Sequence, residues 1–310
     1  MNILYKSPQH QILKMQNSYE LQNEATNLTF FENKVTQQKN KIIIDFNYML
    51  KPNLTINKGM TIKIKHNGIF QCVACQKTVK KLFSGFCFPC LKKKASADTC
   101  IMSPHLCHYM NGTCREPKWG ENYCYKPHYV YLSYTDKFKI GITRESQIPT
   151  RWIDQGATSA KILAKVTSRH QAGVVENTMK EILADKSHWM KMLKSANTRP
   201  SDEEFNIMFN KAKNWLINLV EFKNGSLIVS TPEHLTLRKE IEFFAESPIV
   251  EINYDSPVDI ATIKSLSLDK TPEIEGKITG IKGQYLFFSN HVFNMRKHEG
   301  YISEIEVSNN

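Results

Sequence analysis

The sequence predicts an α+β protein, with a cysteine module, a small α/β unit and β-rich segments at both ends. Three observations carry this reading. All eight cysteines of the 310-residue chain fall between positions 72 and 124. Residues 129–184 read in the order strand, strand, helix, strand, helix. Apolar residues alternate with polar ones on either side of these units, which is the signature of half-buried strands.

Taken in order, residues 1–40 form a polar, poorly patterned lead-in. Residues 41–70 are β-rich, and the Asn67-Gly68 pair there reads as a turn. Residues 71–124 are the cysteine module. The α/β unit spans 125–195. It opens with two strands, 129–134 and 138–143, separated by Thr135-Asp136-Lys137, a spacing that fits a hairpin. Pro149 suits the start of a short helix and Gly156 its end. A strand follows near 160–168. A helix over 172–184 carries Val175, Met179 and Ile182 or Leu183 on one face. A second helix, 200–222, opens on Ser201 and Glu204, a capping-box pair. Its apolar stripe is Phe205, Met208, Ala212, Trp215 and Leu219. Residues 223–310 are a β-rich C-terminal domain punctuated by Gly276, Gly280 and Gly283. The opening and closing β segments can pair into one sheet, which would make the central units an insertion; nothing in the sequence forces that pairing.

Lys plus Arg outnumber Asp plus Glu 41 to 30, a net charge of +11. That balance favours polyanionic partners as a class. With 41% hydrophobic residues the chain can bury a core and is not wholly disordered. No apolar run approaches the ~20 residues of a membrane span. The N-terminal stretch has no apolar signal region. Clustered cysteines in such a chain point to metal ligands in a reducing compartment, so a cytoplasmic location is expected.

Cys72 and Cys75 form one CxxC pair, and Cys87 and Cys90 a second, eleven residues on. Each pair offers two thiolates from one tight turn, and four soft ligands satisfy a tetrahedral Zn²⁺ with no position left for catalysis. This is the zinc-ribbon arrangement, and the site is expected to be structural. Cys100, Cys107, Cys114 and Cys124 are spaced more loosely and invite a second zinc; His105, His108 or His128 can replace one of them. Around the first site lie Lys77, Lys80, Lys81, Lys92, Lys93 and Lys94, with no acid between 76 and 95. Phe83, Phe86 and Phe88 are interleaved. They read equally well as a surface for phosphates and bases and as the small core of the ribbon with a solvated skin.

In the α/β unit, Tyr129-Val130-Tyr131 and Lys139-Ile140-Gly141-Ile142-Thr143 resemble the two-strand signature of the GIY-YIG nuclease superfamily. Arg151 follows about ten residues beyond Gly141, and Glu176 lies on a later helix. The resemblance implies that Arg151 contacts the scissile phosphate, that Glu176 holds Mg²⁺ or Mn²⁺, and that Tyr131 sits at the reaction centre. Lys139 stands where the superfamily has tyrosine, and lysine there can help activate water. Tyr129 stands in place of glycine, and Gln155 stands where many active members carry His or Tyr. Arg144 and Arg169 add positive charge, and Trp152 with Gln155 offers an aromatic beside a hydrogen-bonding edge that can read a base; Trp152 serves equally as a packing anchor.

The chain from about 60 to 305 also resembles an uncharacterised bacterial family, domain of unknown function 2797. The likeness rests on the eight cysteines, the stretches 114–119, 128–132 and 139–157, Arg169 with Gly173 and Glu176, and Gly280-Ile-Lys-Gly-Gln-Tyr285. That family implies no settled activity. Two function classes therefore stand on the same residues: a metal-dependent nuclease on DNA or RNA, and a non-catalytic zinc-containing protein that binds nucleic acid. A nucleotide- or protein-binding module on a degenerate nuclease scaffold is a third.

Overall fold

The computed structural model describes residues 2–21, 41–50, 54–183, 188–222, 241–244, 246–256 and 262–309. Over these residues it is a mixed α+β structure with three sheets. The first sheet joins the two ends. Strand β1 (Asn2–Gln11) pairs antiparallel with β17 (Tyr301–Asn309), β17 with β5 (Thr61–Gln71), and β5 with β13 (Glu273–Lys277). The short β6 (Thr78–Val79) extends β5 towards the cysteine module. The pairing the sequence permitted but did not force is thus made.

The second sheet runs β2 (Gln16–Leu21), β3 (Lys41–Leu50), β11 (Ile249–Ile252), β9 (Ser159–Val166), β7 (His128–Tyr134), β8 (Phe138–Arg144). The β4 strand (Leu54–Ile56) pairs with β3, and β10 (Ile241–Phe243) with β9. The third sheet is β12 (Lys264–Leu266), β16 (His291–Asn294), β15 (Tyr285–Phe288), β14 (Gly280–Lys282).

These sheets divide the chain differently from the sequence segments. Within the expected lead-in, Asn2–Gln11 and Gln16–Leu21 are edge strands, β1 pairing with the distant β17 and β2 with the nearby β3; residues 22–40 lie outside the described residues. The 41–70 segment splits, with β3 entering the second sheet and β5 the first. Within 223–310, β10 and β11 join the sheet of the α/β unit. Asn67-Gly68 is no hairpin turn: β5 passes through it, and a register shift opposite Ile302 and Ser303 marks a bulge, with Gly68 at φ +78°. The opening of the expected β-rich C-terminal domain, residues 223–240, falls outside the described residues.

Helix α1 (Phe88–Lys93) and helix α2 (Pro117–Tyr123) lie in the cysteine module. In the α/β unit, α3 (Thr150–Asp154) follows β8, and α4 (Arg169–Met179) follows β9. Two further helices follow, α5 (Trp189–Lys194) and α6 (Asp202–Phe222). The α6 capping box forms: Ser201 N donates to Glu204 Oε2 at 2.9 Å, and Glu204 N to Ser201 Oγ at 3.2 Å. Its buried face is Phe205, Phe209, Ala212 and Leu216, flanked by Met208 and Trp215.

Two cores sandwich the second sheet. One face, with Val130, Leu132, Ile140 and Leu163, packs against Val175 and Met179 of α4 and Phe205 of α6. The other face, with Tyr129, Tyr131 and Ile44, packs against Ile62, Ile305 and Val307 of the first sheet, Leu286 and Phe293 of the third, and Trp152. Among the described residues no helix is long and apolar enough to cross a membrane.

Candidate functional site

The first cysteine set is assembled by two tight turns held face to face. Cys72 N donates to Lys77 O at 3.0 Å and Val73 N to Gly85 O at 2.9 Å. Phe83 and Phe86 exchange both backbone bonds, so Ser84 and Gly85 turn the chain at positive φ. The sulfurs of Cys72, Cys75, Cys87 and Cys90 lie within 4.8 Å of one another. A tetrahedron with Zn–S bonds of ~2.3 Å has S–S edges of ~3.8 Å. The Cys75–Cys87 sulfur separation is 3.8 Å. Burial raises the Cys72 thiol, but backbone N–H groups of Cys75, Cys87 and Ala74 outweigh it and bring it to about 6. The four residues thus fit a soft tetrahedral metal ion.

The second set is arranged less symmetrically. Cys100, Cys107, Cys114 and Cys124 line one small cavity with Asp98 and His108. Of these cysteines only Cys100 belongs to a donor group that closes to within 4.8 Å, and its partners there are Asp98 and His108. His105 and His128 do not join these close donor groups. His128 is buried, with Nδ1 2.8 Å from Lys126 O, and burial lowers it to about 4.

Of the lysines, Lys77, Lys80, Lys81, Lys92 and Lys93 are exposed. Lys94 is half-buried and bonded to Glu116 at 2.6 Å, so its charge is spent within the protein. Phe86 packs on the sulfurs, whereas Phe88 is 52% exposed with the Lys92 ammonium 4.5 Å above its ring. The packing and recognition readings therefore fall on different phenylalanines.

In the α/β unit, Tyr131 on β7 lies opposite Gly141 on β8. Its ring crosses that glycine so closely that a Cβ there would stand 2.6 Å from the phenolic oxygen. The hydroxyl reaches Gln155, just beyond α3, at 2.9 Å. With the Gln155 amide turned to suit both neighbours, its nitrogen donates to Tyr131 Oη and its oxygen accepts from Arg151 Nη2 and Nε, each at 3.2 Å. Glu176, half-buried on α4, is near enough for its charge to act on the phenol. Burial, opposed by Arg151 and reinforced by Glu176, pushes the Tyr131 phenol up to about 12. Tyr131, Gln155 and Arg151 are therefore linked by hydrogen bonds, and the charge of Glu176 on α4 reaches the phenol.

Other expectations shift. Trp152 is fully buried, its ring 5.8 Å from that of Tyr131, so it supports the site and has no face for a base. Lys139 is only 5% exposed; it pairs with Ser133 and so shares the sheet face of Tyr131. Arg144 lies over the Tyr123 ring at 4.6 Å, and Arg169 donates to Ile101 O at 2.8 Å; both bind the α/β unit to the cysteine module. Sequence reasoning missed one anchor. Asp154, at the end of α3, takes Lys14 Nζ at 2.8 Å and Gln284 Nε2 at 2.8 Å. The two β-rich ends thereby fix the helix carrying Arg151, a long-range contact for which the sequence holds no signal.

A family profile described as "Protein of unknown function (DUF2797)" matches residues 59–302. The chain belongs to that family. The match takes in both cysteine sets, the Tyr131–Arg151–Glu176 cluster and the Gly280–Tyr285 stretch that carries Gln284. No curated protein and no solved structure matches the DUF2797 chain.

Proposed function

We propose that the chain is a metal-dependent phosphodiesterase acting on DNA or RNA, built on a GIY-YIG-like unit, with Zn²⁺ in the Cys72–Cys75–Cys87–Cys90 site. The observation that carries this reading is the convergence of Tyr131, Arg151, Gln155 and Glu176 from β7, α3 and α4. Phosphodiester hydrolysis needs positive charge on the phosphoryl oxygens and an activated water. Arg151 supplies a planar fork that matches two phosphate oxygens. Glu176 supplies the single carboxylate that suits a hydrated Mg²⁺ or Mn²⁺, which when bound adds charge and makes its water more acidic. Tyr131 is buried and protonated at neutral pH, so it is a positioning residue: it holds Gln155, and Gln155 holds Arg151. Lys77, Lys80, Lys81, Lys92 and Lys93, with Phe88, form the surface that takes the nucleic-acid backbone.

The test pairs cleavage with binding. Labelled single- and double-stranded DNA and RNA are incubated with Mg²⁺, Mn²⁺ or EDTA, beside Glu176→Ala. Cleavage that requires the metal and falls by ~10²-fold or more in the variant, with binding kept, supports the reading. Cleavage unchanged in Glu176→Ala removes Glu176 from the site. Binding with no cleavage favours the non-catalytic nucleic-acid-binding reading, for which the full burial of the Tyr131 ring speaks. Neither binding nor cleavage turns the search to nucleotides and protein partners.

The basic surface has its own expected result. Reversing Lys80 and Lys81 to Glu should weaken binding and flatten the plot of log affinity against log salt by ~1.5 or more, at ~0.7–0.9 for each phosphate no longer neutralised. An unchanged slope in filter binding places the nucleic acid elsewhere.

A further inference from the structure

The structure assigns a second metal centre to Cys100, Cys107, Cys114 and Cys124, and with it a mechanical role, holding α4, the helix that carries Glu176. That role matters to catalysis only through the reading of Glu176 given above; the centre itself does not depend on it.

The segment from 95 to 127 has almost nothing else to hold it. It is made of single-turn elements and the seven-residue α2. Its buried apolar side chains are Ala95, Cys100, Pro104 and Cys124, two of which are cysteines. So small a core does not support a fold, and a structural metal is the usual remedy in a chain that keeps its thiols reduced. The four cysteines are free of disulfides and line one cavity, beside the close Asp98, Cys100 and His108 donors. Cys114 approaches because residue 120 is glycine: a Cβ there would lie 3.0 Å from its sulfur and 2.4 Å from the Tyr109 ring. Around the sulfurs stands an ordered polar shell. Asp98 accepts from Cys100 N at 3.2 Å and from Arg115 at 2.6 Å, and lies 3.5 Å from His108 Nε2. His108 Nδ1 is held in turn by Thr113 Oγ1 at 2.7 Å. Such outer contacts orient the groups around a thiolate-bound ion. Four soft ligands and this compact shell suit Zn²⁺.

The ligand-bearing loops are also the seat of α4. Arg169 N donates to Cys124 O at 2.8 Å, and its guanidinium donates to Ile101 O at 2.8 Å. One turn on, Gly173 lies flat on the backbone between two of the ligands: a Cβ there would stand 2.3 Å from His105 N and 2.3 Å from Pro104 C. Glu176 follows three residues later. A metal that fixes the 100–107 loop and the end of α2 therefore fixes the start of α4.

Elemental analysis of the full chain, purified reduced, is expected to give about two zinc ions, with about one left in Cys107→Ser and about one in Cys75→Ser. Because Cys107→Ser can fail to fold, the wild-type chain is also titrated with a chelator and followed by amide hydrogen exchange. Residues 169–179 should lose protection at the chelator concentration that removes one of the two ions, while residues 202–218 stay protected. About one zinc in the wild type, all of it lost in Cys75→Ser, overturns the centre. Two zinc ions with 169–179 unchanged as each ion leaves overturns the hold on α4. Two ions, a responsive α4 and no nucleic-acid cleavage keep this inference and remove the phosphodiesterase reading alone.

Discussion

Gly141→Ala is expected to cost the protein several kcal/mol of stability and to dismantle the Tyr131 cluster. The new methyl would stand 2.6 Å from both Cζ and the hydroxyl oxygen of Tyr131, far inside contact distance. The ring cannot swing away freely, since it is fully buried and packs edge-on against Trp152 at 5.8 Å. Overpacking of this kind costs ~1–3 kcal/mol. Pulling the hydroxyl off Gln155 leaves a buried polar group unpaired, another ~1–3 kcal/mol. Urea unfolding measures the sum. Tyr131→Phe removes one of the two closest atoms, so Gly141→Ala should cost less in that background than in the wild type. Equal costs in the two backgrounds would show that the collision is relieved elsewhere.

The second large effect is on pH dependence. Lys282 is wholly buried, with its amine bonded to Ser195 Oγ at 3.1 Å and to Ala196 O, and 5.3 Å from the Tyr254 ring centroid. Burial, only partly offset by Asp136, lowers it from the usual 10.5 to about 7. Between those two values the unfolded chain binds a proton that the folded chain does not. Stability contributed by this group therefore rises with pH through that window, at up to ~1.4 kcal/mol per unit. The zinc-saturated protein should gain a few kcal/mol in urea unfolding between about pH 7 and pH 9.5, and Lys282→Met should remove most of that gain. Parallel pH curves for the two proteins would mean that the ammonium finds solvent or a counter-charge in the fold.

What the sequence reveals and conceals follows from how far apart the interacting residues lie. The first metal set was legible because each CxxC supplies two ligands from one turn. The β7–β8 hairpin, the Ser201–Glu204 cap and the α4 face were legible because their signals repeat within a few residues. The partners of β9 were not: β11 joins it from some ninety residues away, and only the fold brings them together. Burial was the other blind spot. Nothing in the sequence marks Lys139 or Lys282 as buried, or Trp152 as an anchor and not an aromatic free to stack, until the sheets close over them. Asn67-Gly68 carries the chemistry of a turn, yet a single left-handed glycine serves a bulge equally well.

The first sheet also bears on the order in which the chain acquires its structure. β1 and β5 flank β17, and each presents that edge to it alone. On a ribosome both must wait, edges open, while the cysteine and α/β units between them are made and folded. Contacts of such sequence separation are slow to form, and unpaired edges invite pairing with other chains. The inserted units can mature early; the sheet that encloses them closes only when β17 arrives, so the step most exposed to misassembly is also the one that completes the grip on Asp154 and the helix of Arg151.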